Sequence, residues 1–248
     1  MKKSSENKKN IIIDGIKFPL IESNPKKLIE DFLIFIYGRV KIGKSEFCSH
    51  ISNSLFLETE PGLKFLKVKK MKIASWKDFC DIVKILEKKL IKTLNYKCIV
   101  VDTVDNLSRF CMDFVCTKKK IEHPSDQEWG KGWEALFNEW HRWIVRLSSL
   151  SVGVIFIGHH TEKEMIYRNM KITRVVPALG NTFYRSINAL VDFIFYVGNE
   201  RVKKNNKWVE RRFLYTRATE NIEAGSRGGN LPAKIKFDFD IFKKNFII

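Results

Sequence analysis

Long apolar runs are missing from this chain. The longest, such as Val152 to Gly158, falls far short of the ~20 residues needed to cross a bilayer as a helix. The lysine-rich start MKKSSENKKN leads into only a brief III, too little for the apolar centre of a signal peptide. These two absences exclude a spanning protein and a secreted one, so a cytoplasmic protein with no membrane partner is expected. Paired cysteine chemistry is missing as well. Five cysteines (Cys48, Cys80, Cys98, Cys111 and Cys116) are odd in number and scattered, with no C-x-x-C spacing and no histidine pair set for zinc. They read as reduced thiols. Acidic residues are also scarce: 28 Asp and Glu face 45 Lys and Arg, for a net charge of +17. Such a field favours polyanionic partners, although lysine on a solvated face need contact nothing. No internal repeat is found.

What is present suits one large domain. The chain has 248 residues, 44% hydrophobic and 12% aromatic, enough to bury a substantial core. Residues 1–28 read as a tail and lead-in, with the charged, serine-rich first ten residues disordered or loosely docked, and 29–248 as the domain. DFLIFIYG (31–38) is a short apolar run closed by glycine, which fits a fully buried strand. KSEFCSHISNS follows as a helix and LFLETEPG (55–62) as a second strand, together a βαβ unit. SWKDFCDIVKILEKKLIKTL opens with Ser75 as N-cap and carries one apolar face. YKCIVVDTVDNL is a third buried strand stopping at Asp102. Trp129 to Leu150 reads as a long helix whose tryptophans belong to the core rather than to a base-stacking platform. VGVIFIGHH is a fourth buried strand. ALVDFIFYVG and WVERRFLYTRA form an antiparallel hairpin about the turn NERVKKNNK. The expected fold class is α/β: a mostly parallel central sheet, helices on both faces, and a C-terminal antiparallel hairpin at the edge.

Gly38-Arg39-Val40-Lys41-Ile42-Gly43-Lys44-Ser45 satisfies the G-x-x-x-x-G-K-[ST] pattern, and it stands between a buried strand and a helix. Glycines allow the backbone N–H groups of such a loop to close on phosphate oxygens. Lys44 is expected to pair with the phosphates, Glu46 to flank them, and the Ser45 hydroxyl to ligate Mg²⁺, making ATP and Mg²⁺ the expected cofactors. A carboxylate must complete that metal shell from the end of a strand next to the P-loop strand. Asp102 qualifies, with a helix-capping role as the alternative; Asp105 is left as a helix-start residue. Hydrolysis needs a group that orients or deprotonates water. Glu60, in FLETEPG, is the candidate, with Glu58 on the same side of the strand. His159, at the carboxyl edge of the sheet, is placed to sense the γ-phosphate.

Basic residues gather after the histidine pair. Lys163, Arg168, Lys171 and Arg174 suit contact with a nucleic-acid backbone, and Tyr167 suits stacking on a base. Lys118, Lys119 and Lys120 crowd a second segment. Nothing here reads sequence, so binding to single-stranded DNA is expected to be nonspecific and salt-sensitive.

The order of a P-loop strand, a strand ending in ETE, one ending in VVDTVDN, and one ending in IGHH before the basic, flexible TEKEMIYRNMKITR resembles the RecA-like ATPase core over residues 30 to 237. It is most similar to phage-type AAA-family ATPases of single-strand annealing and recombination. WGKGWEALFNEWHRWIVRL and TRATENIEAGSRGGNLPAKI carry that finer likeness. The resemblance implies ATP hydrolysis stimulated by single-stranded DNA, with Glu60 as water activator and His159 as γ-phosphate sensor. It implies a homo-oligomer, a ring or short filament, in which Arg217, or else Arg227, completes a neighbour's site. A single-strand-binding protein is a further implied partner, and the host cytoplasm is the implied place of a phage protein. Glu58 departs from the family's usual aspartate. A non-hydrolysing annealing module and a helicase-type motor remain open beside this reading. A small-molecule kinase would need an arginine-rich lid and an acceptor pocket, and neither is found.

Overall fold

The computed structural model describes residues 10–89, 93–167 and 170–246. Strands β1 (Asn10–Ile13) and β2 (Ile16–Pro19) form a hairpin about Asp14 and Gly15, both at positive φ. The D-G pair is a strong short-range hairpin signal. It stands where the sequence reading expected only a lead-in, and residues 11–19 leave their side chains exposed.

The main sheet and its helices follow: β3 (Leu33–Gly38), α1 (Lys44–Ser49), β4 (Ser54–Glu58), β5 (Lys69–Lys72), α2 (Trp76–Lys89), β6 (Cys98–Asp102), α3 (Val104–Lys119), α4 (Lys131–Ser148), β7 (Gly153–Tyr167), β8 (Met170–Pro177), α5 (Asn181–Leu190), β9 (Phe193–Lys204), β10 (Lys207–Tyr215), β11 (Gly225–Ser226), β12 (Lys234–Lys236) and α6 (Phe239–Asn245). The strand order is β12-β10-β9-β3-β7-β6-β4-β5, with β11 on β9 and β8 on β7. From β9 to β5 every pairing is parallel, while β10 and β12 join antiparallel. This is the expected mostly parallel α/β sheet with its C-terminal hairpin; the short β12 lies outside that hairpin.

The order corrects one expectation. Asp102 does not end a strand beside the P-loop strand, because β7 lies between β3 and β6. All of these strands are buried on both faces, so their continuous apolar runs look alike and do not rank neighbours. Alternate residues serve the two faces. Phe35, Tyr37, Leu55, Leu57, Ile99, Val101, Val154 and Phe156 join α2 to α5 in one core cluster. Ile34, Ile36, Phe56, Cys98, Val100, Ile155 and Ile157 meet α1 and α6 in the other. In α4, Leu136, Trp140, Trp143, Ile144 and Leu147 are buried, and Trp140 stacks on Trp76 at 5.6 Å between centroids. Trp129 precedes that helix and is exposed. Ser75 caps α2 as expected, accepting the Asp78 N–H at 3.1 Å.

Two ribbons rise from the carboxyl edge. β7 pairs with β3 and β6 only as far as His159, and from His160 to Tyr167 it pairs with β8. β9 pairs with β3 as far as Val197, and from Asn199 to Lys204 it pairs with β10 alone among the described residues. The stretch after the histidine pair is therefore a β-ribbon, not the flexible loop expected. Most of NERVKKNNK is strand too, turning only at Asn205 and Asn206, with φ of 49° and 61°. Asparagine tolerates that left-handed region better than most residues. Since β7 and β9 flank β3, the P-loop opens between the roots of the two ribbons.

Candidate nucleotide site

The two glycines of the loop are required for different reasons. A Cβ on Gly38 would stand 2.5 Å from the Val197 carbonyl oxygen of β9, so close backbone approach demands glycine there. Gly43 sits at φ 103°, a conformation that L side chains rarely adopt. Arg39, Val40 and Lys41 face solvent, Lys41 at positive φ, while Ile42 is buried and anchors the loop in the core. The N–H groups of Lys44, Ser45 and Glu46 open α1 and have no acceptor within that helix. Lys44 folds back, its Nζ donating to Gly38 O at 2.9 Å and Arg39 O at 2.7 Å. Burial pulls its pKa down to about 8, against the opposing pull of Asp102, Asp105 and Glu60.

A cavity of about 440 Å³ opens over this loop, lined by Lys44, Ser45 and Glu46, by Glu60, Pro61 and Phe65, and by Asp102, Thr103 and His159. Asp102 is buried, with the Ser45 hydroxyl beside it. Burial raises its pKa above the ordinary carboxylate value, and Glu60 adds to the rise, while the Ser45 hydroxyl and the charges of Lys44 and His159 oppose it. One strand's width therefore separates the roots of β3 and β6, and the bend of the loop closes it. His159 Nε2 lies 3.9 Å from Glu60 Oε1, so these two also meet in the cavity. Glu58 does not join them: it turns to the sheet edge, accepting the Leu63 N–H at 3.3 Å and pairing with Lys70 at 3.4 Å. The strand ends at Glu58, so the alternation that would align Glu58 with Glu60 stops there.

Three positioning groups escaped the sequence reading. Asp105, expected only to start a helix, accepts the His159 backbone N–H at 2.9 Å and stands 3.4 Å from its Nδ1. Thr59 ties the Glu60 loop to β6: its N–H donates to Asp102 O, its hydroxyl donates to Thr103 O, and it accepts the Thr103 N–H, each at 2.8 Å. Asn106 adds a bond to Thr59 O at 2.7 Å. Arg212, in β10, donates to Ile42 O at 2.8 Å and lies 2.5 Å from where a Gly43 Cβ would be. Their only local signals were proximity to Asp102 for Asp105, and to Glu60 for Thr59; Arg212 is 170 residues from its loop partner.

The remaining candidates lie elsewhere. Lys163 and Arg174 face each other across the β7–β8 ribbon, and Lys171 pairs with Ile166 on its other face. Arg174 sits at the ribbon's root, near Tyr37 and Tyr184. Arg168 and the side chain of Tyr167 lie outside the described residues. Lys118 lies over the Phe114 ring beside the start of α2. Arg217 is exposed, outside the cavity, with Nη2 donating to Leu231 O at 3.3 Å. Arg227 donates to Ala189 O.

A sequence profile for the family described as AAA domain matches residues 31–228, from the P-loop strand past β11. The chain belongs to the AAA domain family. Its kinship with phage-type P-loop ATPases is thereby supported, and a relative of prophage origin agrees: the SPbeta prophage-derived uncharacterized protein YorG of Bacillus subtilis (strain 168) is 29% identical over 206 residues, 81% of this chain. The matched part spans 61% of that relative's length. Among solved structures, a KaiC-like protein, PH0186, from Pyrococcus horikoshii OT3 superposes with a TM-score of 0.46 and 11% identity, covering 84% of this chain and 85% of that one. Within this AAA domain the P-loop, Asp102, Glu60 and His159 are brought to one cavity. No helix among the described residues is long and apolar enough to cross a membrane.

Proposed function

We propose that this protein is an ATPase that works on single-stranded DNA in recombination or annealing. One observation carries the reading: Lys44, Ser45, Asp102, Glu60 and His159 converge on a single cavity over the P-loop. The residues fit ATP with Mg²⁺. Thr103 Oγ1 is buried in the cavity wall without a hydrogen-bond partner in the protein, as expected of an atom that meets a ligand or its water. Among the described residues no group of three or more His, Cys, Asp or Glu could hold a metal alone, so phosphate and water must supply most of its ligands. Held by Ser45 and Asp102, Mg²⁺ would neutralise charge on the β- and γ-phosphate oxygens.

The protein's own groups do the rest. Loop N–H groups and Lys44 hold the phosphates. Glu60 takes a proton from the attacking water as its oxygen bonds the γ-phosphorus; the bond to the bridging oxygen breaks, leaving ADP and phosphate. His159, fixed by Asp105, stands where a γ-phosphate is sensed and begins the β7–β8 ribbon, whose Lys163, Lys171 and Arg174, with Tyr167 and Arg168, form the proposed DNA surface. In a ring or short filament, exposed Arg217 would serve a neighbour's site, with Arg227 as second choice. The prophage relative supports a phage-borne protein; the host's cytoplasm as its place and a single-strand-binding protein as a further partner belong to the same proposal.

ATP turnover measured with and without oligothymidine tests the reading. Stimulation by the single strand is expected, without separation of duplexes. Turnover indifferent to DNA, together with no DNA binding, would overturn it, and strand displacement would make it a helicase motor instead.

Lys44 also sets a pH dependence. In the free protein it loses its proton above about pH 8, whereas bound phosphates favour the charged form. Nucleotide affinity at constant ionic strength should be flat from pH 7 to about 8, then fall by up to tenfold per unit. A flat profile up to pH 9.5 would place Lys44 away from the phosphates.

A further inference from the structure

We propose that the β9–β10 ribbon is a second contact for single-stranded DNA, with Trp208 stacking on a base and Lys203, Lys204 and Lys207 meeting the phosphates. The inference rests on the single-strand reading above and adds a surface to it. From Asn199 to Arg212 these strands pair only with each other among the described residues, and the face that carries Trp208 is exposed throughout that stretch. Trp208 is 68% exposed there, a costly place for an indole unless it has a partner. It stands opposite Lys203, and opposed residues share a face, so Arg201 and Arg212 lie on its side. Lys204 faces Lys207 at the tip. Like charges directly opposed destabilise a ribbon, and a bound anion relieves that repulsion. The ribbon's acids balance it only in part: Glu210 stands opposite Arg201 on the Trp208 face, and Glu200, on the other face, is already bonded to Lys234 at 2.6 Å and to Tyr215.

The Trp208–Lys203 pair also supports the hairpin itself, but hairpin support does not need an exposed indole next to a tip where Lys204 opposes Lys207 on the other face. A polyanion with flat bases matches both features, whereas an acidic protein surface matches only the charge. Arg212 ties this face to the P-loop through Ile42 O, so a strand lying here would run beside the nucleotide loop, opposite the β7–β8 ribbon.

The test uses the full chain and fluorescein-labelled oligothymidine, read by anisotropy over a salt series. Trp208→Val keeps a strand-forming residue and removes the ring; it should weaken binding by about 5- to 150-fold, whereas Trp208→Phe should keep most of the affinity. The triple change Lys203→Gln, Lys204→Gln and Lys207→Gln should lower the slope of log affinity against log salt by about 2. Nucleotide affinity should stay as in the wild type throughout. Wild-type DNA affinity and slope in both the valine and the triple variant would overturn the ribbon's role while leaving the single-strand reading intact. A loss of self-association without a loss of DNA affinity would overturn it too, making the ribbon a protein interface. Failure of the wild type itself to bind oligothymidine would instead remove the reading beneath.

Discussion

Lys44→Ala is expected to lower kcat/KM for ATP by at least about a hundredfold, the scale of removing a group that stabilises developing charge. Thermal stability should change little. In the folded chain Lys44 is buried, and its pKa lies near 8 against an ordinary value of 10.5. A lysine with a lowered folded pKa costs stability while it is charged: the cost is full below about pH 8 and disappears as pH rises through the unfolded value. Removing it relieves that cost at pH 7 and forfeits the bonds to Gly38 O and Arg39 O, two changes of opposite sign. Phosphate release and a melting curve on the same preparation check both halves. Unchanged turnover would end the ATPase reading; lost turnover with a collapsed melting temperature would make Lys44 a structural residue.

Glu60→Gln should separate hydrolysis from binding. The amide keeps the size and cannot take the water's proton, so kcat should fall by about 10²–10⁴. Nucleotide and DNA affinities should hold, because Lys44, Ser45 and Asp102 are untouched. Single-turnover hydrolysis beside equilibrium binding gives the comparison. If turnover survives, another group activates the water. If annealing proceeds in the variant, ATP serves as an assembly ligand and its cleavage only resets the protein.

The parts of the site that sequence revealed share one property: each is announced by neighbours in the chain. The P-loop is contiguous, and Asp102 and His159 end apolar runs that read as buried strands. The structure puts these three where they can share a ligand. Order across the sheet was hidden, since β3, β4, β6 and β7 carry interchangeable apolar runs and nothing local says that β7 fits between β3 and β6. β5 was hidden for the opposite reason: KKMK is exposed throughout and looks like loop. The outer halves of β7, β8 and β9 are largely polar and exposed, so no apolar run betrays them, whereas WVERRFLY announced β10. Arg212, Asp105 and Thr59 act through contacts closed only by folding, and a single sequence shows no such pairing. Glu58 misled because a strand's alternation was extended past its last paired residue.

β7 runs unbroken for 15 residues, from the floor of the sheet through His159 to its outer end. It cannot slide lengthwise, because a slip of one position would turn Val154, Phe156 and their neighbours to the wrong side of two packed layers. Were a strand held at the tip as proposed, its effect would reach the imidazole as tilt or torsion of this continuous strand, and the chemistry below would answer to how the strand leans rather than to how far it travels.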